Sequence, residues 1–244
     1  MPTESIDRWF VTVAPPNASV LLFSLPYAGG GASAYRAWTR AMPPTVGVLP
    51  LQLPGREGRI AEPGNFDAAD VADAIEARAD RPYAIYGHSM GGRLGFEAVR
   101  ELRRRGAVLP YTLYVGASRP PDAVEPLGAL THADDATLID RVLELGGVPP
   151  EVFDEPELRE LVLPVFRADF GWIDRYRYVE EDPLPVRLVA VSGADDADAP
   201  PGLMAGWARH TSAGFVQHTL PGGHFFLHDR LDLLVAVIAD GVPN

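Results

Sequence analysis

Six short apolar runs recur along the chain, and each ends in glycine, proline or serine. They occupy residues 20–26, 46–54, 83–89, 111–118, 186–193 and 215–222. Their hydrophobic residues are nearly continuous, without the clean alternation of a strand that has one face in water. Strands of this kind are typical of a parallel sheet that is covered on both faces. The runs therefore predict a buried, mostly parallel central sheet.

Helical patterns separate most of these runs. They span residues 33–42, 65–80, 93–106 and 230–241. The second starts with the capping residues Asn65 and Asp67, and the last two end at Gly106 and Gly241. Because strands alternate with helices along the chain, we predict an α/β fold in which helices flank the sheet.

One long segment breaks the alternation. Residues 130–180 contain no convincing strand, but they hold two helical patterns, in THADDATLIDRVLELGG and DEPELRELVLPVFRADFGWIDRYRY. Pro156 suits the start of the second helix, whereas Pro164 is expected to kink or interrupt it. We interpret residues 122–182 as a helical lid inserted between two strands of a single domain, 1–244. The alternative is an ordinary crossover that is merely long.

The composition excludes several kinds of site and partner. The 244 residues include no cysteine, which excludes disulfides, cysteine-ligated zinc and a cysteine nucleophile. The net charge of −12 argues against a nucleic-acid partner. The first residues lack the pattern of a secretory signal, and no stretch approaches the roughly 20 apolar residues of a membrane helix. We therefore expect a cytoplasmic protein with no membrane partner.

A serine lies between glycines at the end of the third apolar run. Gly87-His88-Ser89-Met90-Gly91 matches G-x-S-x-G, with a strand before it and a helix after it, as a nucleophile elbow requires. Such an elbow presents the Ser89 hydroxyl above the sheet edge and aims the Met90 N–H at a developing oxyanion. A phosphate loop is excluded by the missing lysine, and the stretch has no G-x-G-x-x-G dinucleotide fingerprint. Ser89 is the predicted nucleophile.

A serine nucleophile needs a histidine base and a carboxylate that orients the histidine. In this fold class the chain order is serine, acid, histidine. Of the six histidines, His224 follows the last strand in a glycine-rich loop, and we predict that it is the base. SGADDADAP follows the penultimate strand, and a G-x-x-D spacing from Gly193 selects Asp196 as the acid. Asp195 and Asp198 are the alternatives.

The loop after the first run, LPYAGGGASAY, is expected to supply the second oxyanion donor. Its glycines free the backbone to turn toward Ser89, and the N–H of Ala28 is the best candidate. Tyr27 would flank the acyl group, and His88, inside the elbow, would shape the pocket. The alternative is a glycine-rich connection with no catalytic role.

Longer motifs resemble a known family. PYAGGGASAYRAW, LQLPGREGRIAEP, YGHSMGGRLGFE, LRELVLPVFRADF and LPGGHFFL are similar to the type II thioesterases of polyketide and nonribosomal peptide pathways, which have the α/β-hydrolase fold. The resemblance runs from about residue 19 to 240, and P-G-R-E-x-R and R-A-D-F are more specific than the elbow. The chain departs from the family in an extra glycine in PYAGGG, which would shift the oxyanion donor by one residue, and in its aspartate-rich acid loop.

The resemblance implies hydrolysis of an acyl thioester on the phosphopantetheine arm of an acyl or peptidyl carrier protein. It implies an editing role for a monomer, with Ser89, His224 and Asp196 as the triad and Ala28 and Met90 as oxyanion donors. No cofactor or metal is required. A dedicated chain-releasing thioesterase and a carboxylesterase or lactonase on the same fold are the alternatives, and a binding protein without catalysis is a more distant one.

Two further expectations concern the substrate. Aromatic residues of the lid, among them Phe166 and Phe170, would wall an apolar acyl chamber, although residues at helical spacing also suit a core. Carrier proteins are usually acidic, as is this chain, so a local arginine patch is expected to offset the repulsion. Arg56, Arg59 and Arg119 are the candidates.

Overall fold

The centre of the protein is a six-stranded parallel sheet. The computed structural model describes residues 8–123 and 130–243. The strands are β1 (Val20–Leu25), β2 (Val46–Pro50), β3 (Tyr83–His88), β4 (Thr112–Gly116), β5 (Arg187–Gly193) and β6 (Phe215–Leu220). They lie in the order β2-β1-β3-β4-β5-β6, and every adjacent pair is parallel. All six fall within the apolar runs, so the predicted α/β class is confirmed.

Helices follow the strands along the described chain. They are α1 (Trp38–Ala41), α2 (Ala68–Glu76), α3 (Met90–Arg105), α4 (Asp135–Leu145), α5 (Glu151–Asp154), α6 (Pro156–Arg175), α7 (Pro201–Met204), α8 (Phe226–Asp229) and α9 (Leu231–Asp240). The predicted helix 33–42 is instead a 3₁₀ turn followed by α1. Gly31 supplies no capping side chain there, and burial of Tyr35 and Trp38 sets the path of the chain.

Both faces of the sheet are buried, which explains the nearly continuous apolar runs. In β1, Leu21 and Phe23 join the core that α2 and α3 cover, whereas Val20 and Leu22 join the core that α1 and α9 cover. All four are at most 3% exposed. Because side chains alternate across a strand, burial of both faces requires an apolar residue at almost every position.

Three helices, α4 to α6, lie between β4 and β5 and share a small core of their own. That core includes Leu138 of α4, Phe153 of α5, and Phe166 and Phe170 of α6. They fall in the segment 122–182, of which residues 124–129 lie outside the described residues, as do residues 1–7 and 244 of the predicted domain. The role of these helices as a lid stays a prediction.

The predicted interruption of α6 at Pro164 does not occur. The helix continues for 20 residues, from Pro156 to Arg175, with Pro164 inside it. Pro164 is exposed, so the carbonyl of Glu160 that loses its partner lies on the solvent side, where water can replace the missing N–H. Neither α6 nor any other helix in 8–123 and 130–243 is long and apolar enough to cross a membrane.

Candidate active site

The candidate nucleophile lies on a sharp turn between β3 and α3. Ser89 has φ 52° and ψ −116°, a conformation that non-glycine residues seldom adopt. Its N–H donates to the Gly116 carbonyl at the end of β4, at 2.8 Å, and its own carbonyl accepts from the Gly92 N–H at 3.0 Å. These two hydrogen bonds hold the backbone of Ser89 in its strained conformation. This is the geometry in which an elbow lifts a serine hydroxyl above the sheet.

The glycines of the motif permit this close packing. A β-carbon at Gly87 would collide with the carbonyl of Gly91, and one at Gly91 would collide with the carbonyl of Leu25 in β1. Larger residues at either position would push α3 away from the sheet. The G-x-S-x-G spacing is therefore a packing requirement of this turn as well as a signature of the nucleophile.

His224 and Asp196 meet at the same edge of the sheet, beyond β6 and β5. His224 Nδ1 lies 2.9 Å from Asp196 Oδ2. The other oxygen, Oδ1, accepts from the N–H groups of Asp198 and Ala199, at 2.9 and 3.0 Å. Burial by itself would raise the pKa of the Asp196 carboxyl, but the hydrogen bonds from His224 and the two backbone N–H groups outweigh it, and the net pKa lies below the ordinary value. Asp196 is therefore ionised at neutral pH and holds the proton of His224 on Nδ1.

The two alternative aspartates are placed differently. Asp195 is exposed, and its backbone N–H donates to the Gly222 carbonyl at 2.9 Å. The carboxylate of Asp198 binds Arg141 Nη2 at 2.9 and 3.0 Å. Asp196 is thus the one of the three whose carboxylate bonds to His224.

The turn that carries Ala28 lies beside the elbow. The Gly30 N–H donates to the Tyr27 carbonyl at 2.9 Å, and Gly29 has φ 80°, which suits the third residue of a type II turn. The Gly29 N–H is already bound to Asp169 Oδ2 at 2.7 Å. Among the described residues, the N–H of Ala28 has no acceptor. These bonds favour Ala28 over Gly29 as a donor to substrate.

One cavity brings the main candidates together. Ser89, Met90, Ala28 and His224 all line it, as does Phe170 of α6. It has a volume of about 50 Å³ and is partly open to solvent. The other lining residues are Arg93, Ala117, Ser118, Arg119, Arg141, Leu145, Ile173, Asp198 and Ala199. Met90 is the first residue of α3, so its N–H has no acceptor within the helix and is available at the cavity.

Three predicted substrate-binding residues are placed outside this lining. Tyr27 packs against the ring of Phe225, with centroids 4.8 Å apart, and its hydroxyl lies 3.0 Å from His228 Nε2. Phe166 is buried against Gly29, where its ring fills the space that a β-carbon would need. His88 is fully buried. Of the four predicted residues, Phe170 of α6 lines the cavity.

His88 supports the histidine loop from below. Its Nε2 lies 2.8 Å from the His224 carbonyl and its Nδ1 lies 2.8 Å from the Tyr86 hydroxyl. A carbonyl can only accept, so Nε2 carries the proton and Nδ1 accepts from Tyr86. Burial, reinforced by the nearby His224, holds the pKa of His88 well below its usual value. His88 is therefore a neutral residue beneath the candidate site. It was predicted to shape the pocket as a substrate-binding residue, but it is buried and supports the loop of His224 instead of lining the cavity.

This burial predicts a pH-dependent stability. Below pH 6.5 an unfolded chain protonates His88 and the folded chain does not, so the unfolded state gains stability as pH falls. We expect His88→Gln to reduce the slope of the free energy of unfolding against pH, below pH 6.5, by up to about 1.4 kcal/mol per pH unit. Urea unfolding between pH 5 and 8 measures the slope. The exposed His132→Gln is the control, and equal slopes for wild type and His88→Gln would refute the assignment.

The arginines of LPGREGR do not form a surface patch. Arg56 is 3% exposed and pairs with Asp169 of α6, and Arg59 is 7% exposed. Arg59 binds Glu62 at 2.6 Å and the Gln52 carbonyl at 2.9 Å. The expectation that Arg56 and Arg59 attract a carrier protein is therefore wrong, since carboxylates within the chain already neutralise them. Arg119 differs, because it lines the cavity.

Comparisons with known proteins match one domain family over most of the chain. The thioesterase domain family matches residues 21–240. The linear gramicidin dehydrogenase LgrE of Brevibacillus parabrevis is 39% identical over 242 residues, covering 96% of this chain and 92% of that protein. RedJ, a thioesterase from the prodiginine biosynthetic pathway in Streptomyces coelicolor, superposes with a TM-score of 0.85 at 36% identity, over 93% of this chain and 87% of RedJ. BorB, the type II thioesterase from the borrelidin biosynthetic cluster, gives 0.85 at 33% identity, over 96% and 98%.

Proposed function

The chain belongs to the thioesterase domain family, and from this premise we propose that it hydrolyses acyl groups from the phosphopantetheine arm of acyl or peptidyl carrier proteins. Its resemblance to the type II thioesterases, predicted from the motifs, is confirmed by RedJ and BorB, and so is the α/β-hydrolase fold. The observation that carries the proposal is a cavity lined by Ser89, His224 and the two residues with backbone donors, Ala28 and Met90, with Asp196 bonded to His224 behind it.

The contacts support a mechanism with an acyl-serine intermediate. Asp196 keeps the proton of His224 on Nδ1, which leaves Nε2 free to take the proton of Ser89 as its oxygen attacks the thioester carbonyl. The N–H groups of Ala28 and Met90 stabilise the negative oxygen of the tetrahedral intermediate. The carbon–sulfur bond then breaks, and His224 returns the proton to the leaving thiolate. Water attacks the acyl-serine in the second half, again with His224 as base, and restores Ser89.

Editing of short or stalled acyl groups is the role that the cavity wall supports. Three lining residues, Arg93, Arg119 and Arg141, carry guanidinium groups, and Leu145, Phe170 and Ile173 supply the apolar part. A long alkyl chain would bury these charged groups against hydrocarbon, which is costly. Short acyl groups would leave the half-buried side chains of Arg119 and Arg141 in contact with water. The dehydrogenase activity that the name of LgrE states is no part of this proposal, since the cavity presents a nucleophile.

A panel of acyl thioesters tests the proposal. We expect an acyl-pantetheine thioester to be hydrolysed faster than the matching oxygen ester, and carrier-bound acyl groups from acetyl to hexanoyl to react at rates within about 10-fold of one another. The measurement is kcat/KM by release of free thiol and of acid. A sharp peak at one chain length would instead identify a dedicated chain-releasing enzyme. Faster turnover of the oxygen ester would identify a carboxylesterase or lactonase.

A further inference from the structure

A buried carboxylate of α6 is hydrogen-bonded to the turn that carries Ala28. Asp169 is fully buried, and its Oδ2 accepts the Gly29 N–H at 2.7 Å. Arg56 binds both oxygens of this carboxylate, with Nη1 at 2.7 Å from Oδ2 and Nη2 at 2.6 Å from Oδ1. Arg56 Nη1 also donates to the Gly30 carbonyl at 2.9 Å. The Arg56–Asp169 pair therefore holds the turn on both sides of Gly29.

These bonds fix the direction of the Ala28 N–H. The Tyr27 carbonyl and the Ala28 N–H belong to one planar peptide group and point in opposite directions. The Tyr27 carbonyl accepts from the Gly30 N–H, and Gly30 is in turn held through its carbonyl by Arg56. If Gly29 and Gly30 moved, the Tyr27–Ala28 peptide would rotate with them. The direction of the Ala28 N–H bond thus depends on the Arg56–Asp169 pair.

Stability alone does not account for a buried ion pair at this place. Removing two charges from water is costly, and apolar residues of similar volume usually stabilise a fold at least as well. What an apolar pair does not supply is a set of directional bonds to the Gly29 N–H and the Gly30 carbonyl. The bidentate guanidinium–carboxylate geometry is also the most orientation-specific ion pair in proteins.

We propose that Asp169 and Arg56 are positioning residues for catalysis, which hold the Tyr27–Gly30 turn so that the Ala28 N–H meets the oxyanion. The inference rests on the proposed function, because the direction of that N–H matters only if Ser89 attacks a carbonyl. It also assigns a role to the R-A-D-F and P-G-R-E motifs. These two stretches lie far apart in the sequence, and Arg56 of one meets Asp169 of the other at this turn.

The first test replaces Asp169 by asparagine, which keeps its size but removes the charge and one of its two acceptor oxygens. We expect kcat to fall about 10²-fold, with KM changed less than about 3-fold, because the Ala28 donor acts in the transition state rather than in the bound ground state. Rates are measured on the folded fraction, well below the melting temperature, with active sites counted by complete labelling with a fluorophosphonate.

Two companion variants separate positioning from folding. Arg56→Lys keeps the charge but loses the bidentate hydrogen bonds to Asp169, and we expect about a 10-fold loss in kcat. Asp135→Asn breaks a different ion pair of α6, the one that Asp135 forms with Arg167 at 2.6 Å, and it does not touch the turn. Asp135→Asn is expected to retain wild-type kcat. An equal loss in Asp135→Asn would mean that general loosening of α6 is responsible, and it would overturn the proposal.

A transition-state analogue gives a readout that a purely structural role would not move. A trifluoromethyl ketone adds to the serine and forms an oxyanion, so its affinity should fall by the same factor as kcat/KM in Asp169→Asn. The affinity of a non-hydrolysable amide analogue, which carries no oxyanion, should stay unchanged. If Asp169→Asn keeps kcat within about 3-fold, or if the ketone affinity does not fall, the proposal is wrong.

The ratio of variant to wild type is taken on whichever thioester or oxygen ester the wild type hydrolyses. Failure of the proposed function would therefore appear in the substrate profile of the wild type. Failure of the positioning role would appear in this ratio, so the two outcomes are distinguishable.

Discussion

We expect Ser89→Ala to lower kcat for acyl thioesters by about 10⁴–10⁶-fold. The oxygen that attacks the carbonyl is lost, and neither His224 nor the backbone donors can replace it. Some rate above that of water should remain, because the Ala28 and Met90 N–H groups still stabilise attack by water. The measurement is kcat for an acyl-pantetheine thioester, with free thiol detected continuously.

The fold should survive this change. Alanine keeps the β-carbon of serine, so the strain at φ 52° is the same in both proteins, and the backbone bonds to Gly116 and Gly92 are unaffected. Ser212→Ala, at an exposed position far along the chain from the elbow, is the matched serine control and should keep full activity. Intact-mass spectra with a slowly hydrolysed substrate should show an acylated wild type and an unmodified Ser89→Ala. An acyl adduct on Ser89→Ala would place the nucleophile elsewhere.

Asp196→Asn should lower kcat about 10⁴-fold, by imposing the wrong tautomer on His224. The structure fixes which way the new amide must face. Asp196 Oδ1 accepts from the N–H groups of Asp198 and Ala199, so the asparagine oxygen will occupy that position and its NH₂ group will face His224. His224 Nδ1 must then accept a hydrogen bond, its proton moves to Nε2, and Nε2 can no longer take the proton of Ser89.

Two other aspartate variants make this prediction specific. Asp195→Asn removes a charge from the same loop at an exposed position and should leave kcat unchanged. Asp198→Asn weakens the pair with Arg141 and leaves the His224–Asp196 hydrogen bond in place. A loss in Asp198→Asn as large as that in Asp196→Asn would identify Asp198 as the orienting acid. Steady-state kinetics at pH 7.5, with melting temperatures for all three variants, decide between them.

Much of the fold was predictable because parallel strands buried on both faces have a strong signature. The six apolar runs contain β1 to β6, and the elbow follows from glycines that the structure shows to be in close contact with backbone. The meeting of His224 and Asp196 was predictable for a related reason. Both follow strands whose carboxyl ends lie at one edge of the sheet, so loops that are distant in sequence converge there.

The contacts between the sheet loops and α6 were not predictable in the same way. Arg56 was expected at the surface because charged residues are seldom buried without a partner, and its partner lies 113 positions away. No periodicity links the two positions. An available signal was the presence of an arginine in one family motif and an aspartate in another. The buried His88 gave no signal at all, since its neighbours Tyr86 and His224 identify its role only in three dimensions.

The Arg56–Asp169 pair has a consequence for exchanging parts between related enzymes. One way to alter the substrate range of such an enzyme is to replace its helices between β4 and β5 with those of a related chain. A graft without a carboxylate at position 169 would leave the Arg56 guanidinium buried and uncompensated, at a cost of about 3–5 kcal/mol. The transplantable unit is therefore α4 to α6 together with the loop that bears Arg56. A chimera that contains both Arg56 and Asp169 keeps the ion pair that holds the Tyr27–Gly30 turn, even when its substrate specificity changes.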